Sequence, residues 1–305
     1  MTGLLHFKRR TERRKSFKTE VIVFMNGNQI KSSLQLAKLT ETIKSDPGCV
    51  DMQPFPILDN IHYVGNRFVG AYLIDTGDGL LLIDSNFREV LPILLKNIRQ
   101  AGYDPADISL LFLSHGHFDH IGGAAELQKL SGCRVFFPEG DHFMLTERRD
   151  LIFDEVEDFE IDEFFDYSRT YSFGEVTVRP VLTAGHTLGC TSLILTVSYR
   201  GRTVRVGVHG GLGLNGLSQA ELAENRLPAD TSLRYRESLM RVKDIPVDVF
   251  LPLHNSYYDI FSLAESDGGD HSVFIRPGDW KRTMEARLRA VDELIETEHS
   301  CLARA

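Results

Sequence analysis

With 305 residues, 42% of them hydrophobic, the chain is long enough to bury a sizeable core in a single domain of about 250 residues. A formal net charge of −9 lacks the basic face that a phosphate-reading protein needs, so nucleic acid is not an expected partner. No apolar run approaches the roughly 20 residues required to span a bilayer. The four cysteines, Cys49, Cys133, Cys190 and Cys301, form neither CxxC pairs nor a dense framework, which suits a reducing compartment.

In chain order, a basic run (Lys8, Arg9, Arg10, Arg13, Arg14, Lys15, Lys18) is followed by only one short apolar stretch, Val21 to Met25. A secretory h-region needs about seven or more apolar residues. The run therefore reads as a solvated tail, and the protein as cytoplasmic. Ile30, Leu34 and Ala37, with Leu36, Leu39 and Ile43, have helical spacing that ends near Asp46-Pro47-Gly48. Residues 1–52 are thus an N-terminal extension, a basic tail plus a helix, and 53–305 the main domain.

That domain opens with strands over 71–76 and 80–84 joined by the turn Gly77-Asp78-Gly79, then a helix over 89–101 and a buried strand over 108–113. From Phe153 to Asp166, eight acids are interleaved with four phenylalanines, a pattern that reads as a solvated helix face with a buried Phe edge. Strands recur from Val176 to Val208. A helix follows from Asp230, then a strand and a closing helix over 280–298. This order predicts an α/β chain folded as an αββα sandwich, two mixed sheets face to face with helices on both outer faces.

Three segments carry the chemistry. Just past the 108–113 strand comes Ser114-His115-Gly116-His117-Phe118-Asp119-His120, three imidazoles and a carboxylate within six positions. Neutral imidazole is the commonest metal ligand, and an added carboxylate oxygen suits zinc or a similar borderline divalent ion. His186 lies just past the apolar run that begins Val181-Leu182, and His254 past Val249-Phe250-Leu251-Pro252-Leu253. Either histidine alone reads as a hydrogen-bonded core or loop residue. With the cluster, each is a strand-end ligand.

This pattern resembles the metallo-β-lactamase fold superfamily, whose signature is His-x-His-x-Asp-His followed by two later histidines. The likeness covers roughly residues 54–298 and is greatest to the third subclass of true metallo-β-lactamases. It implies one zinc held by His115, His117 and His186, and a second held by Asp119, His120 and His254 (iron or manganese being possible replacements). It further implies that Asp119 orients the attacking water and accepts its proton, and that Asp84 supports the ligands. The two metals would supply hydroxide near neutral pH and a Lewis acid for a carbonyl oxygen.

The chain departs from the family at His209-Gly210-Gly211, where related hydrolases place a bridging aspartate and the third subclass an Asp-Ser. Glyoxalase II-like and lactonase-like sites are disfavoured accordingly, and a serine contact to a substrate carboxylate is missing. His209 stands as either a supporting group or a structural histidine. Family position nominates Arg67, Phe68, Asn215, Tyr257 and Tyr258 as substrate contacts. Cys190, four residues after His186, begins a strand and reads as a buried thiol. The partner implied is a small-molecule acyl substrate, and a homodimer remains open. Amide opening as in a β-lactamase stands beside ester, lactone or thioester hydrolysis. Redox relatives need a carboxylate in the first histidine trio, a bridging acid and a flavin-binding domain, which this sequence lacks, and a metal-free scaffold has no use for all six ligands.

Overall fold

The computed structural model describes residues 33–302; the basic run and the Val21–Met25 stretch lie outside them. Among the described residues, twelve strands form two sheets. The first comprises β1 (Phe55–Leu58), β2 (Ile61–Tyr63), β3 (Tyr72–Asp75), β4 (Leu80–Ile83), β5 (Ile108–Phe112), β6 (Arg134–Phe137) and β7 (Glu163–Phe164), side by side in sequence order. The second has the order β12 (Val249–Leu251), β11 (Arg202–Val208), β10 (Thr191–Tyr199), β9 (Val176–Leu182) and β8 (Tyr171–Phe173). Pairing is antiparallel from β1 to β4 and parallel from β4 to β7; in the second sheet only the β11–β12 pair is parallel.

Alternation along the strands builds the layers. Tyr72, Ile74, Leu81, Ile83 and Phe112 face the second sheet and pack with Val178, Leu193, Val206 and Leu251. Their neighbours Leu73, Leu82 and Leu111 face outward against α2 (Leu91–Gln100) and α4 (Ala124–Ser131) through Leu94, Ile98 and Leu127. On the opposite side, Ile194 and Phe250 meet Tyr235 and Leu239 of α7 (Thr231–Val242) and Trp280 and Met284 of α9 (Asp279–Leu302). Period-two strands with apolar residues on both faces require a helix layer on each side, and the αββα sandwich is that solution. Short helices complete the chain: α3 (Phe118–Ile121), α5 (His142–Thr146), α6 (Gln219–Glu224) and α8 (Ile260–Ser266).

The N-terminal helix α1 (Ser33–Ser45) ends before Pro47, which continues into a short 3-10 turn. Its Leu39 and Ile43 are buried in one cluster with Val50, Phe68, Val69, Phe87 and Val90. Phe68 is thus a core residue under α1 that packs edge-on to the His254 ring at 5.3 Å. Arg67 is exposed and donates through Nε to the Asp51 carbonyl.

The acidic segment differs from the helix that its charge pattern predicts. Residues 154–162 run as irregular chain before β7, because ion pairs tie them to three separate elements. Lys44 of α1 pairs with Asp154, Arg88 with Glu157, and Arg149 with Asp158, each at 2.8 Å. Phe165 is buried as the pattern requires, whereas Phe153 is 59% exposed in the left-handed region (φ 70°). Among the described residues no helix is long and apolar enough to cross a membrane. Cys133 and Cys190 are buried free thiols.

If α1 belongs to the folded core, Ile43→Ala leaves a void in a fully buried cluster and costs about 2–5 kcal/mol. Urea unfolding checks this; an unchanged midpoint would show α1 to be a dispensable appendage.

Candidate metal centre

Five segments reach the same edge of the sandwich because each follows the C-terminal end of a strand. Asp84 follows β4, His115 to His120 follow β5, His186 follows β9, His209 follows β11 and His254 follows β12. Parallel pairing of β4 with β5 and of β11 with β12 puts these ends side by side.

The metal-ligand donors gather into two trios. Ligand atoms of His115, His117 and His186 lie within 4.8 Å of one another, as do those of Asp119, His120 and His254. In the second trio, His120 Nε2 is 3.2 Å from His254 Nε2, and the Asp119 Oδ2 atom is 3.3 Å from His254 Nε2 and 3.6 Å from His120 Nε2.

Hydrogen bonds set the tautomers. Asp84 accepts from the Ser114 backbone N–H (2.7 Å), the Ser114 hydroxyl (2.8 Å) and His120 Nδ1–H (2.7 Å). Since the Ser114 proton goes to Asp84, Ser114 Oγ is the acceptor for His115 Nδ1–H at 3.0 Å. His186 Nδ1–H donates to the Gly213 carbonyl at 3.1 Å. All three rings therefore present a bare Nε2 lone pair to the trios. Burial holds the imidazoles of His115, His117 and His186 below their usual pKa, His117 down to about 4, so they are neutral at pH 7 as metal ligation requires.

The donors present fit a divalent metal. His115 Nε2 is fully buried with no hydrogen-bond partner, an arrangement that costs about 1–3 kcal/mol unless something binds that lone pair. Tetrahedral zinc with bonds of about 2.0–2.1 Å separates its ligands by ~3.3 Å, close to the spacing of the second trio.

Asp84 itself adopts a left-handed backbone (φ 59°), which an aspartate tolerates better than most residues, and this turns its carboxylate back over the end of β5.

Asp141 was not among the residues nominated from sequence. Fully buried, it accepts from Gly116 N–H (2.9 Å), Thr187 Oγ1–H (2.7 Å) and Gly189 N–H (2.6 Å). One carboxylate thereby clamps the His115–His117 loop to the His186 loop. Burial raises its pKa to about 6 against those three bonds. The available signal was positional: Asp141 follows the end of β6 much as Asp84 follows β4.

The glycine pair has a steric reason. A Cβ on Gly211 would stand 2.3 Å from the His186 ring, and one on Gly210 would stand 2.5 Å from the Thr191 carbonyl oxygen. Neither position admits the side chain that related enzymes carry. His209 is buried beyond this loop, 6.0 Å ring to ring from Trp280, and its link to the cluster runs through Gly211, whose N–H donates to its Nδ1 at 3.2 Å. Cys190 is fully buried beside Thr183, outside both trios, and burial raises its thiol pKa far above the usual value.

The nominated substrate contacts separate. Asn215 lines a cleft beside His117 and His186, together with Phe143, Met144, Leu151, Phe153, Leu188 and Leu227. Tyr257 sits 6.5 Å, ring to ring, from His254. Tyr258 turns away from the trios, donating to Asp279 Oδ2 at 2.5 Å and packing on Phe250. Arg67 and Phe68 are held at α1, as described above. Phe153 completes the cleft, its ring 5.2 Å from that of His117.

At its strand ends the αββα sandwich bears an all-histidine trio and an Asp/His trio, donor sets suited to metal ions. Residues 64–201 match the family model of the metallo-beta-lactamase superfamily. The fold is similar to that of a subclass B3 metallo-β-lactamase of Bradyrhizobium japonicum (TM-score 0.74, 26% identity), covering 83% of this chain and 97% of that one. A metallo-β-lactamase from Cronobacter sakazakii is similar too (TM-score 0.74, 25% identity), with 82% and 100% covered. Over 101 residues the chain is 30% identical to a hydroxyacylglutathione hydrolase of Bradyrhizobium sp. (strain ORS 278); this spans 33% of either protein. Residues 64–201 thus carry the superfamily's match, and the sandwich shares its fold with these metallo-β-lactamases.

Asp141→Asn replaces an acceptor with a donor facing N–H and O–H groups. The variant should fold yet bind zinc roughly ten-fold or more weakly, measured by chelator competition. Unaltered affinity would reduce the Asp141 clamp to a loop staple.

Proposed function

We propose that the chain is a dinuclear zinc hydrolase that opens an amide or related acyl bond, most like a β-lactamase of the third metallo subclass. The observation that carries this reading is the convergence of six donors into two trios whose ligand atoms lie within 4.8 Å of one another. In this reading His115, His117 and His186 hold one metal, and Asp119, His120 and His254 the other. Bound zinc supplies Lewis acidity and lowers the pKa of water so that hydroxide forms near neutral pH.

The protein groups do the rest. Asp119, buried but for 8% of its surface, orients the attacking water and accepts its proton. Asp84 and the Gly213 carbonyl fix His120 and His186 as Nδ1–H tautomers, so neither ring turns its proton toward the reacting centre. The cleft beside His117 takes the acyl portion: Phe143, Met144, Leu151, Phe153, Leu188 and Leu227 exclude water from it, while Asn215 offers an amide to a polar group.

A second reading has its own support. Gly210 and Gly211 cannot carry a serine for a substrate carboxylate without striking Thr191 and His186, and the curated relative is a hydroxyacylglutathione hydrolase. Ester, lactone or thioester hydrolysis by the same residues is therefore the alternative. We further propose, as read from sequence, a cytoplasmic protein with a small-molecule acyl substrate.

One panel separates the two: a chromogenic cephalosporin and a carbapenem beside an aryl ester, a lactone and a thioester, all with zinc-loaded protein. Lactam turnover that disappears with EDTA, and falls ~100-fold or more in His254→Ala, supports the lactamase reading. Turnover confined to the ester-type substrates overturns it in favour of the alternative. No metal-dependent turnover of any of them would remove both.

A further inference from the structure

Helix α9 presents Trp280, Met284 and Val291 to the outer face of the second sheet, and in the midst of this apolar stripe lies Arg287, 7% exposed. A guanidinium stays charged inside a protein, and a buried charge costs several kcal/mol unless a counter-charge meets it. Among the described residues no carboxylate pairs with Arg287, and its Nε–H has no acceptor. Its neighbours are aromatic. The Tyr257 ring centroid is 5.0 Å from its Cζ, and the hydroxyl of the nearby Tyr235 donates to the Leu212 carbonyl at 3.0 Å. A cation–π contact and one phenol do not balance a desolvated charge.

A second donor lies in the same neighbourhood. His209, 2% exposed, accepts the Gly211 N–H at Nδ1, so its proton resides on Nε2, and that buried N–H also has no partner. Burial and the Arg287 charge push the pKa of His209 down to about 3, leaving it a neutral donor. The loop in front is Gly210-Gly211-Leu212-Gly213: Gly211 and Gly213 lie against the His186 ring, and Leu212 packs in the cluster with Tyr235 and Trp280.

We infer that Arg287 and His209 form a binding site for a small monovalent anion, on the far side of the glycine loop from the metal centre. The anion neutralises the guanidinium and accepts the His209 Nε2–H bond. Two sources share that chemistry: a free anion from solution, or the carboxylate of a substrate reaching past the loop. Either would brace the backbone that supplies Gly213 O to His186, without depending on which acyl bond the enzyme opens.

The test uses the whole zinc-loaded protein and sodium bromide titrated against sodium gluconate, which is too bulky for a buried site, at constant ionic strength. Wild-type protein should gain a few degrees of melting temperature along a saturating curve, and Arg287→Met and His209→Phe should lose that response. Anomalous diffraction from wild-type crystals in bromide should show a peak touching Arg287 and His209 Nε2, which keeps the test decisive if either variant fails to fold. A bromide-dependent rise in KM at constant kcat identifies a substrate carboxylate as the natural occupant; an unchanged KM identifies a free anion. No bromide peak at these residues, or the same bromide response in wild type and Arg287→Met, overturns the site.

Discussion

The Asp84 carboxylate joins the end of β4 to the end of β5 by three hydrogen bonds, and the metal centre is built outward from it. The bond to His120 leaves that ring's Nε2 bare. The bond from the Ser114 hydroxyl leaves its oxygen as the acceptor for His115 Nδ1–H, so a second ring is fixed through that serine. A single buried carboxylate thus sets the proton position on one ligand from each trio. Charge-assisted bonds of this kind are stronger than neutral ones, and a partly satisfied buried network is costlier than none. The left-handed backbone at Asp84 is the conformational cost of aiming one side chain at three donors.

Asp141, which follows β6, repeats the device two strands further along. It engages no ligand ring directly but holds the backbones of Gly116 and Gly189 and the Thr187 hydroxyl. The two aspartates work at different levels: Asp84 governs rings, and Asp141 governs the loops that deliver them. Close backbone approach does the remaining work, since the His186 ring lies against Gly211 where any side chain would displace it. The glycine pair that removes a familiar substrate contact is therefore also a packing requirement of the third histidine.

Around this centre the second layer of organisation is electrostatic. The acidic strap is tied at Asp154, Glu157 and Asp158 by cations from α1 and two other segments, and Phe153, at the start of the strap, stands beside His117. Each surface pair contributes little alone, but three along one short segment limit where it can go. Through Lys44 the N-terminal extension is tied to Asp154, next in the chain to the cleft residue Phe153, and its helix covers Phe68.

The local pattern of residues determined the layers and the ligand set. Period-two apolar strands at 71–76, 80–84 and 108–113 can be buried only between a partner sheet and a helix layer, and four potential ligands within six residues leave few other uses. Helices at 33–45, 91–100, 231–242 and 279–302 were legible from their spacing and breakers for the same local reason. Other features depended on approach between distant segments. The acidic strap lost its helix to ion pairs with residues up to 110 positions away (Lys44 to Asp154). Phe68 and Tyr258, placed at the pocket by family position, turned into packing contacts with α1 and with Phe250 and Asp279. Asp141, the steric necessity of Gly211 and the charge of Arg287, unpaired among the described residues, have no local signature, because each is defined by what stands opposite it in space. The sequence by itself determined which residues could bind metal and which faces must be buried, since periodicity and ligand chemistry are local. Only the tertiary structure decided which proton each imidazole carries, which loops are clamped together and which buried donors go unanswered, since those depend on the groups that folding brings within about 3 Å.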